Sequence, residues 1–124
     1  MVTKFAEVEV GISDFVEQLR RGLDIEAVIL FGSYAAGTPG EWSDIDLAVL
    51  SPDFEGLPIW RRQEMIARLT VHRFPGLSPI GYPSSEYHNP GPHSFLREII
   101  RTGRVVWHAE PGVPGPKPHS EVRS

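Results

Sequence analysis

Asp44 and Asp46 stand one residue apart at the head of an apolar run, Asp44-Ile45-Asp46-Leu47-Ala48-Val49-Leu50, and Gly32-Ser33 closes the apolar run before it. Strand side chains alternate, so the two carboxylates should share one face while Ile45 and Leu47 point into a core. Carboxylates so placed repel each other unless a cation lies between them. Hard oxygen ligands in that arrangement suit Mg2+, which keeps several waters and commonly takes one or two carboxylates together with substrate phosphates. At the Gly32-Ser33 corner, Tyr34-Ala35-Ala36 can begin a helical turn whose free backbone N–H groups, with the Ser33 hydroxyl, would form an anion site. Gly32 would let a phosphate come close to the main chain. A helix-capping role for Ser33 uses the same geometry. A phosphate cradle beside metal-binding carboxylates supports phosphoryl or nucleotidyl transfer.

The flanking pattern supplies elements to hold these residues. Phe15, Val16, Leu19 and Leu23 recur at helical spacing, which predicts a helix from an N-cap at Ser13 to a C-cap near Gly22. Ile25 to Phe31 reads as a central strand covered on both faces, and Asp46 to Leu50 as a second, closed by Ser51-Pro52-Asp53. A helix is expected from about Pro58 to Arg73, with Ile59, Met65, Ile66 and Leu69 on one face and Arg61, Arg62, Glu64 and Arg68 largely off it. Leu77 to Tyr82 reads as a strand that Pro79 places at an edge. Phe95 to Arg101 reads as a short helix with Phe95, Leu96, Ile99 and Ile100 inward and Gly103 as its stop, before a last strand, Val105 to Trp107. The expected organisation is one domain over 1–109 and a disordered Pro/Gly-rich tail over 110–124.

Composition narrows the chemistry. With 124 residues and no cysteine, thiolate metal sites, disulfides and Cys nucleophiles are excluded, and a cytoplasmic setting is the default expectation. No segment approaches the ~20 apolar residues of a membrane helix, so no membrane partner is expected. Residues 1–58 hold 11 acids against Lys4, Arg20 and Arg21, a balance of -8, whereas residues 59–124 hold nine bases against five acids, a balance of +4. The acidic total of -4 and the lack of a dense Lys/Arg run argue against nucleic acid as a partner. His88 and His93 lie in a Pro/Gly-rich loop and read as surface residues, while Trp42 can stack on a base or pack against the turn.

Phe31-Gly32-Ser33, ten intervening residues, and Asp44-Ile45-Asp46 followed by Leu47-Ala48-Val49 resemble the signature of the DNA polymerase beta nucleotidyltransferase superfamily. The short chain resembles its minimal (MNT-type) members. The resemblance implies a mixed α/β sheet flanked by helices, with Gly32 and Ser33 gripping a nucleoside triphosphate, ATP being the expected one, and Asp44 and Asp46 holding Mg2+. It implies transfer of a nucleoside monophosphate to a hydroxyl with release of pyrophosphate. It also implies a helical HEPN-type toxin as partner, or a homodimer. Active members of that family carry a third carboxylate on the following strand. Here that strand, Leu77-Ser78-Pro79-Ile80-Gly81-Tyr82, has no acid, and Ser78 stands about where one is expected. Glu86, just beyond it, is the nearest candidate substitute. The departure leaves open a second reading, a catalytically reduced antitoxin-like protein that binds and neutralises a partner.

Overall fold

A computed structural model describes residues 4–32, 44–72 and 75–110. The elements run α1 (Lys4–Arg20), β1 (Ala27–Phe31), β2 (Ile45–Ser51), a 3-10 turn (Pro52–Phe54), α2 (Ile59–Leu69), β3 (Leu77–Pro83), α3 (Ser84–His88), α4 (Phe95–Thr102) and β4 (Arg104–His108). The strands form one mixed sheet in the order β3-β2-β1-β4. β1 is antiparallel to both neighbours, whereas β2 and β3 are parallel. The expected mixed α/β sheet with flanking helices is therefore present, with the Ile25 to Phe31 run central and the Pro79 strand at an edge.

Alternation divides the strands between two cores. Val28, Leu30, Ile45, Leu47 and Val49 face α1 and α2, packing with Val8, Phe15, Leu19, Phe54 and Ile66. Ala27, Ile29, Ala48 and Leu50 face the other way, under Leu96 and Ile99 of α4, with Tyr82 and Tyr87 at the margin. Burying each large apolar side chain of this kind stabilises the fold by roughly 1.5–3 kcal/mol relative to exposure.

Several local expectations need correction. α1 begins at Lys4 rather than after Ser13, because Val8 and Ile12 extend the buried stripe of Phe15, Val16 and Leu19 one residue in three or four toward the N-terminus. Gly22 is not a left-handed cap; the described glycines with positive φ are Gly32, Gly56 and Gly76. A Cβ on Gly22 would meet Leu69 Cδ2 at 2.6 Å, so its bare α-carbon is what lets α2 pack closely. α2 stops at Leu69, four residues short of Arg73, and Ile59 is exposed. On α4 only Leu96 and Ile99 are buried, while Phe95 and Ile100 lie at the surface. A short helix, α3, follows β3 directly, its first turn held by Glu55, whose carboxylate accepts from Ser85 N at 2.8 Å and Ser85 Oγ at 2.7 Å. These bonds hold the Glu55 carboxyl below its ordinary range.

Arg62 also departs from the expected solvent face. Its Nε and Nη1 donate to the carbonyls of Leu57 at 2.9 Å and Gly81 at 2.6 Å. Neighbouring Gln63 donates to Pro79 O at 2.8 Å and accepts from Gly81 N at 2.9 Å. Side chains of α2 thus satisfy the outer edge of β3 as another strand would, which blocks pairing at that edge. At the far end of β2, fully buried Ser51 donates to Asp24 O at 2.7 Å and accepts from Asp53 N at 3.0 Å, while Asp53 accepts from Asp24 N at 2.8 Å. Ser51→Ala removes both Ser51 bonds from a buried site and is expected to cost about 1–3 kcal/mol in chemical denaturation.

Candidate functional site

The candidate site lies where β1 ends and β2 begins. Pairing sets Phe31 of β1 directly opposite Asp46 of β2, and opposed residues in an antiparallel pair project to the same face with α-carbons about 4.5–5.5 Å apart. Ile45 and Leu47 are buried on the opposite face, as alternation predicts, leaving Asp46 half-buried and Asp44 exposed just before the strand. The chain then leaves β1 through Gly32, whose φ of +76° lies in the left-handed region. A Cβ at Gly32 would lie 2.4 Å from Asp46 Oδ2. The carboxylate of Asp46 is therefore seated against the main chain of the glycine corner. Gly32 is required twice over, by its backbone angle and by that close approach.

Electrostatics agree with the geometry. The Asp46 carboxyl is pushed above its ordinary range, first by burial and second by the negative charge of Asp44. Asp44 and Asp46 are thus close enough to repel. A cation between them would relieve the repulsion, and two oxygen-donor carboxylates with an exposed side fit the donor chemistry of Mg2+. Among the described residues no group of three or more His, Cys, Asp or Glu side chains is placed to hold a metal ion, so the described part of the site offers this pair. Ser33, the other expected phosphate ligand, lies outside the described residues, as do Tyr34-Ala35-Ala36 and Trp42.

Register identifies what replaces a third acid. Asp46 is aligned with Ser78 of parallel β3, and Ser78 is exposed. A neutral hydroxyl therefore occupies the strand position directly beside Asp46. Glu86 cannot compensate: α3 follows the Ser51 and Pro83 pair, five residues along from Asp46 and Ser78, or about 16 Å at roughly 3.3 Å per residue. At that end His88 pairs with Glu26, which precedes β1, and Glu86 raises the pKa of Tyr82 as a cause secondary to burial.

Two aromatic rings complete the near end of this face. Phe31 is half-buried, and Phe95, at the start of α4, meets it edge-to-face with centroids 5.7 Å apart. Nothing in the helical periodicity of Phe95 marks it as a surface ring; only the tertiary placement of α4 exposes it. A separate cavity of about 400 Å³ lies between α1 and β4, lined by residues such as Val8, Ile12, Val16 and Trp107. It opens on the other face of the sheet and does not include the aspartates.

A mixed α/β sheet that seats paired aspartates beside a glycine turn defines a protein of the nucleotidyltransferase fold. Residues 11–77, more than half of the chain, match the nucleotidyltransferase domain family, and the chain belongs to that family. Among solved structures, it is similar to a candidate nucleotidyltransferase from Sulfolobus solfataricus, with a TM-score of 0.67 and 20% identity over 86% of this chain and 85% of that one. It is also similar to a toxin–antitoxin structure with AMP-PNP, with a TM-score of 0.51 and 20% identity over 82% of this chain and 74% of that one. A third similarity is to a toxin–antitoxin MntA–HpeT mutant with two aspartates, one residue apart, changed to glutamate; its TM-score is 0.50 and its identity 18%, over 82% of this chain and 74% of that one. At these identities the likeness is one of fold. No curated protein matches the chain. Among the described residues, no helix is long and apolar enough to cross a membrane.

Proposed function

We infer that the protein is a Mg2+-dependent nucleotidyltransferase that moves a nucleoside monophosphate, AMP from ATP, to a hydroxyl, with a HEPN-type toxin as the acceptor partner. The observation that carries this reading is the seating of Asp46 against Gly32 with Asp44 close enough to raise its pKa. Asp44 and Asp46 would hold the metal ion, while the main chain at Gly32 and the Ser33 hydroxyl would bind phosphate oxygens. Bound there, Mg2+ would neutralise the polyphosphate and favour departure of pyrophosphate. In the transfer, the acceptor oxygen bonds to the α-phosphorus, the bond to the pyrophosphate oxygen breaks with pyrophosphate leaving, and the hydroxyl proton passes to solvent water. A structural neighbour solved with AMP-PNP in a toxin–antitoxin assembly supports both the nucleotide and the kind of partner.

Ser78 beside Asp46 favours a second reading. With no carboxylate on β3 to receive the hydroxyl proton, the chain would keep nucleotide affinity and act as an antitoxin-like binder with little turnover. For either reading, ATP should raise the melting temperature only when Mg2+ is present, by about 2.7 kcal/mol of stabilisation at 100 times Kd. Stabilisation by ATP in EDTA equal to that in Mg2+ would overturn the metal assignment. Incubation with labelled ATP and the protein encoded beside this one separates the two readings: transfer of label supports the enzyme, and stable association without label supports the binder.

A further inference from the structure

We propose that Phe95, backed by Phe31, is the platform on which the base of the bound nucleotide stacks. The inference rests on the triphosphate reading of the Asp44 and Asp46 site. Phe95 is 59% exposed, although helical periodicity assigns it to the core. It is not isolated: its contact with Phe31 at 5.7 Å joins it to the residue directly opposite Asp46, so one aromatic pair connects the carboxylates to the start of α4. A nucleotide whose phosphates lie at Asp46 must place its base within one sugar's length of them. On the described side of the site, this pair offers an apolar surface at that range.

The surroundings of Phe95 fit a purine better than an apolar peptide. Phe95 forms one wall of a groove of about 490 Å³ whose other walls are Pro92, His93, Ser94, Arg97, Glu98 and Arg101; Phe31 and the aspartates do not line it, so the Phe95 ring is what joins the groove to the carboxylate end of the sheet. Ser94 is already committed, donating to Gly91 O at 3.0 Å and accepting from Arg97 N at 3.1 Å, and Arg101 is paired with Glu98. The side chains of His93 and Arg97 are exposed and can hydrogen-bond ring nitrogens of a base whose face lies on Phe95. Stacking on an aromatic side chain with polar groups at the base edge is a general mode of nucleobase recognition.

Calorimetric titration of the full chain in Mg2+, with ATP and with inorganic tripolyphosphate as separate probes, tests the proposal. Because Phe95 is exposed, Phe95→Ala should fold normally. It should weaken ATP binding by roughly tenfold or more and leave tripolyphosphate binding unchanged, with Phe95→Trp restoring ATP affinity. Unchanged ATP affinity in Phe95→Ala, or equal losses for both probes, overturns the base platform while leaving the triphosphate site standing. Failure of both probes to bind the parent protein overturns the triphosphate reading and this inference with it.

Discussion

Ser78→Asp is expected to convert a weak or silent transferase into an active one, raising the Mg2+-dependent rate of pyrophosphate release from ATP by about 10²-fold or more in the presence of the acceptor protein. The magnitude is the lower part of the range typical of a positioned general base. Position makes the substitution informative: Ser78 is aligned with Asp46 on the parallel neighbour, so the new carboxylate would project to the same face. Ser78 is exposed, and the change requires no repacking of the core. The added charge should also tighten binding of Mg2+, measurable by titration without nucleotide. Without metal, a third carboxylate beside two that already repel should lower the melting temperature, and Mg2+ should restore it. A variant that binds Mg2+ more tightly yet releases pyrophosphate no faster would sink the enzyme reading in favour of the binder, because the one missing group would have been supplied without effect.

The same register explains which parts of the fold the sequence makes legible. Strand alternation is local, and it places Ile45, Leu47 and Asp46 on the observed faces. Proline chemistry is local too, and it puts the Pro79 strand at the edge. Elements governed by tertiary contact are harder to read. The start of α1 is obscured by Val8 and Val10 alternating with Glu7 and Glu9 and by Gly11, features that weaken a helical reading until Val8 and Ile12 are seen buried against the sheet. α3 is a five-residue helix whose first turn is satisfied by Glu55, 30 positions away, and no window around Ser84 contains that partner. Arg62 looks like a solvated helix residue until β3 presents the Gly81 carbonyl to it.

The site divides along the same line. Asp44, Asp46 and Gly32 are legible as candidates because residue type, spacing and strand period together single them out, and the structure brings them to one end of the sheet. What spacing does not carry is Gly32's second role: the group that comes close to it is the Asp46 carboxylate, a contact across two strands. Glu86 illustrates the converse. It is near in sequence to the strand that lacks an acid, but β3 runs parallel to β2, so every residue after Ser78 moves away from Asp46 along the sheet. A hairpin would have returned it; a parallel strand followed by a helix does not.

Asp46→Asn should separate the stability of the site from its function. In the parent, the Asp46 carboxyl titrates above its ordinary value of 3.8, from burial first and from Asp44 second. A raised carboxyl favours the folded state only while it is protonated, so that contribution is fully present below the unfolded-state value and is lost as pH rises through the folded-state one. At neutral pH the ionised pair opposes folding. Without metal at pH 7, Asp46→Asn should therefore melt higher than the parent, and the difference should close as the pH falls toward the unfolded-state value. Addition of Mg2+ and ATP should reverse the order, because the parent alone has both carboxylates to hold the ion. Even outer-shell partners of metal sites are worth about 10–100-fold in affinity, so loss of one carboxylate of a two-carboxylate site should weaken Mg-ATP binding by about a hundredfold or more. Parallel thermal melts of the two proteins between pH 4 and 8, in EDTA and in Mg-ATP, measure both effects. If the variant is less stable than the parent in EDTA at pH 7, the Asp46 carboxylate is a structural ligand of the Gly32 corner rather than a charge held in wait for a cation.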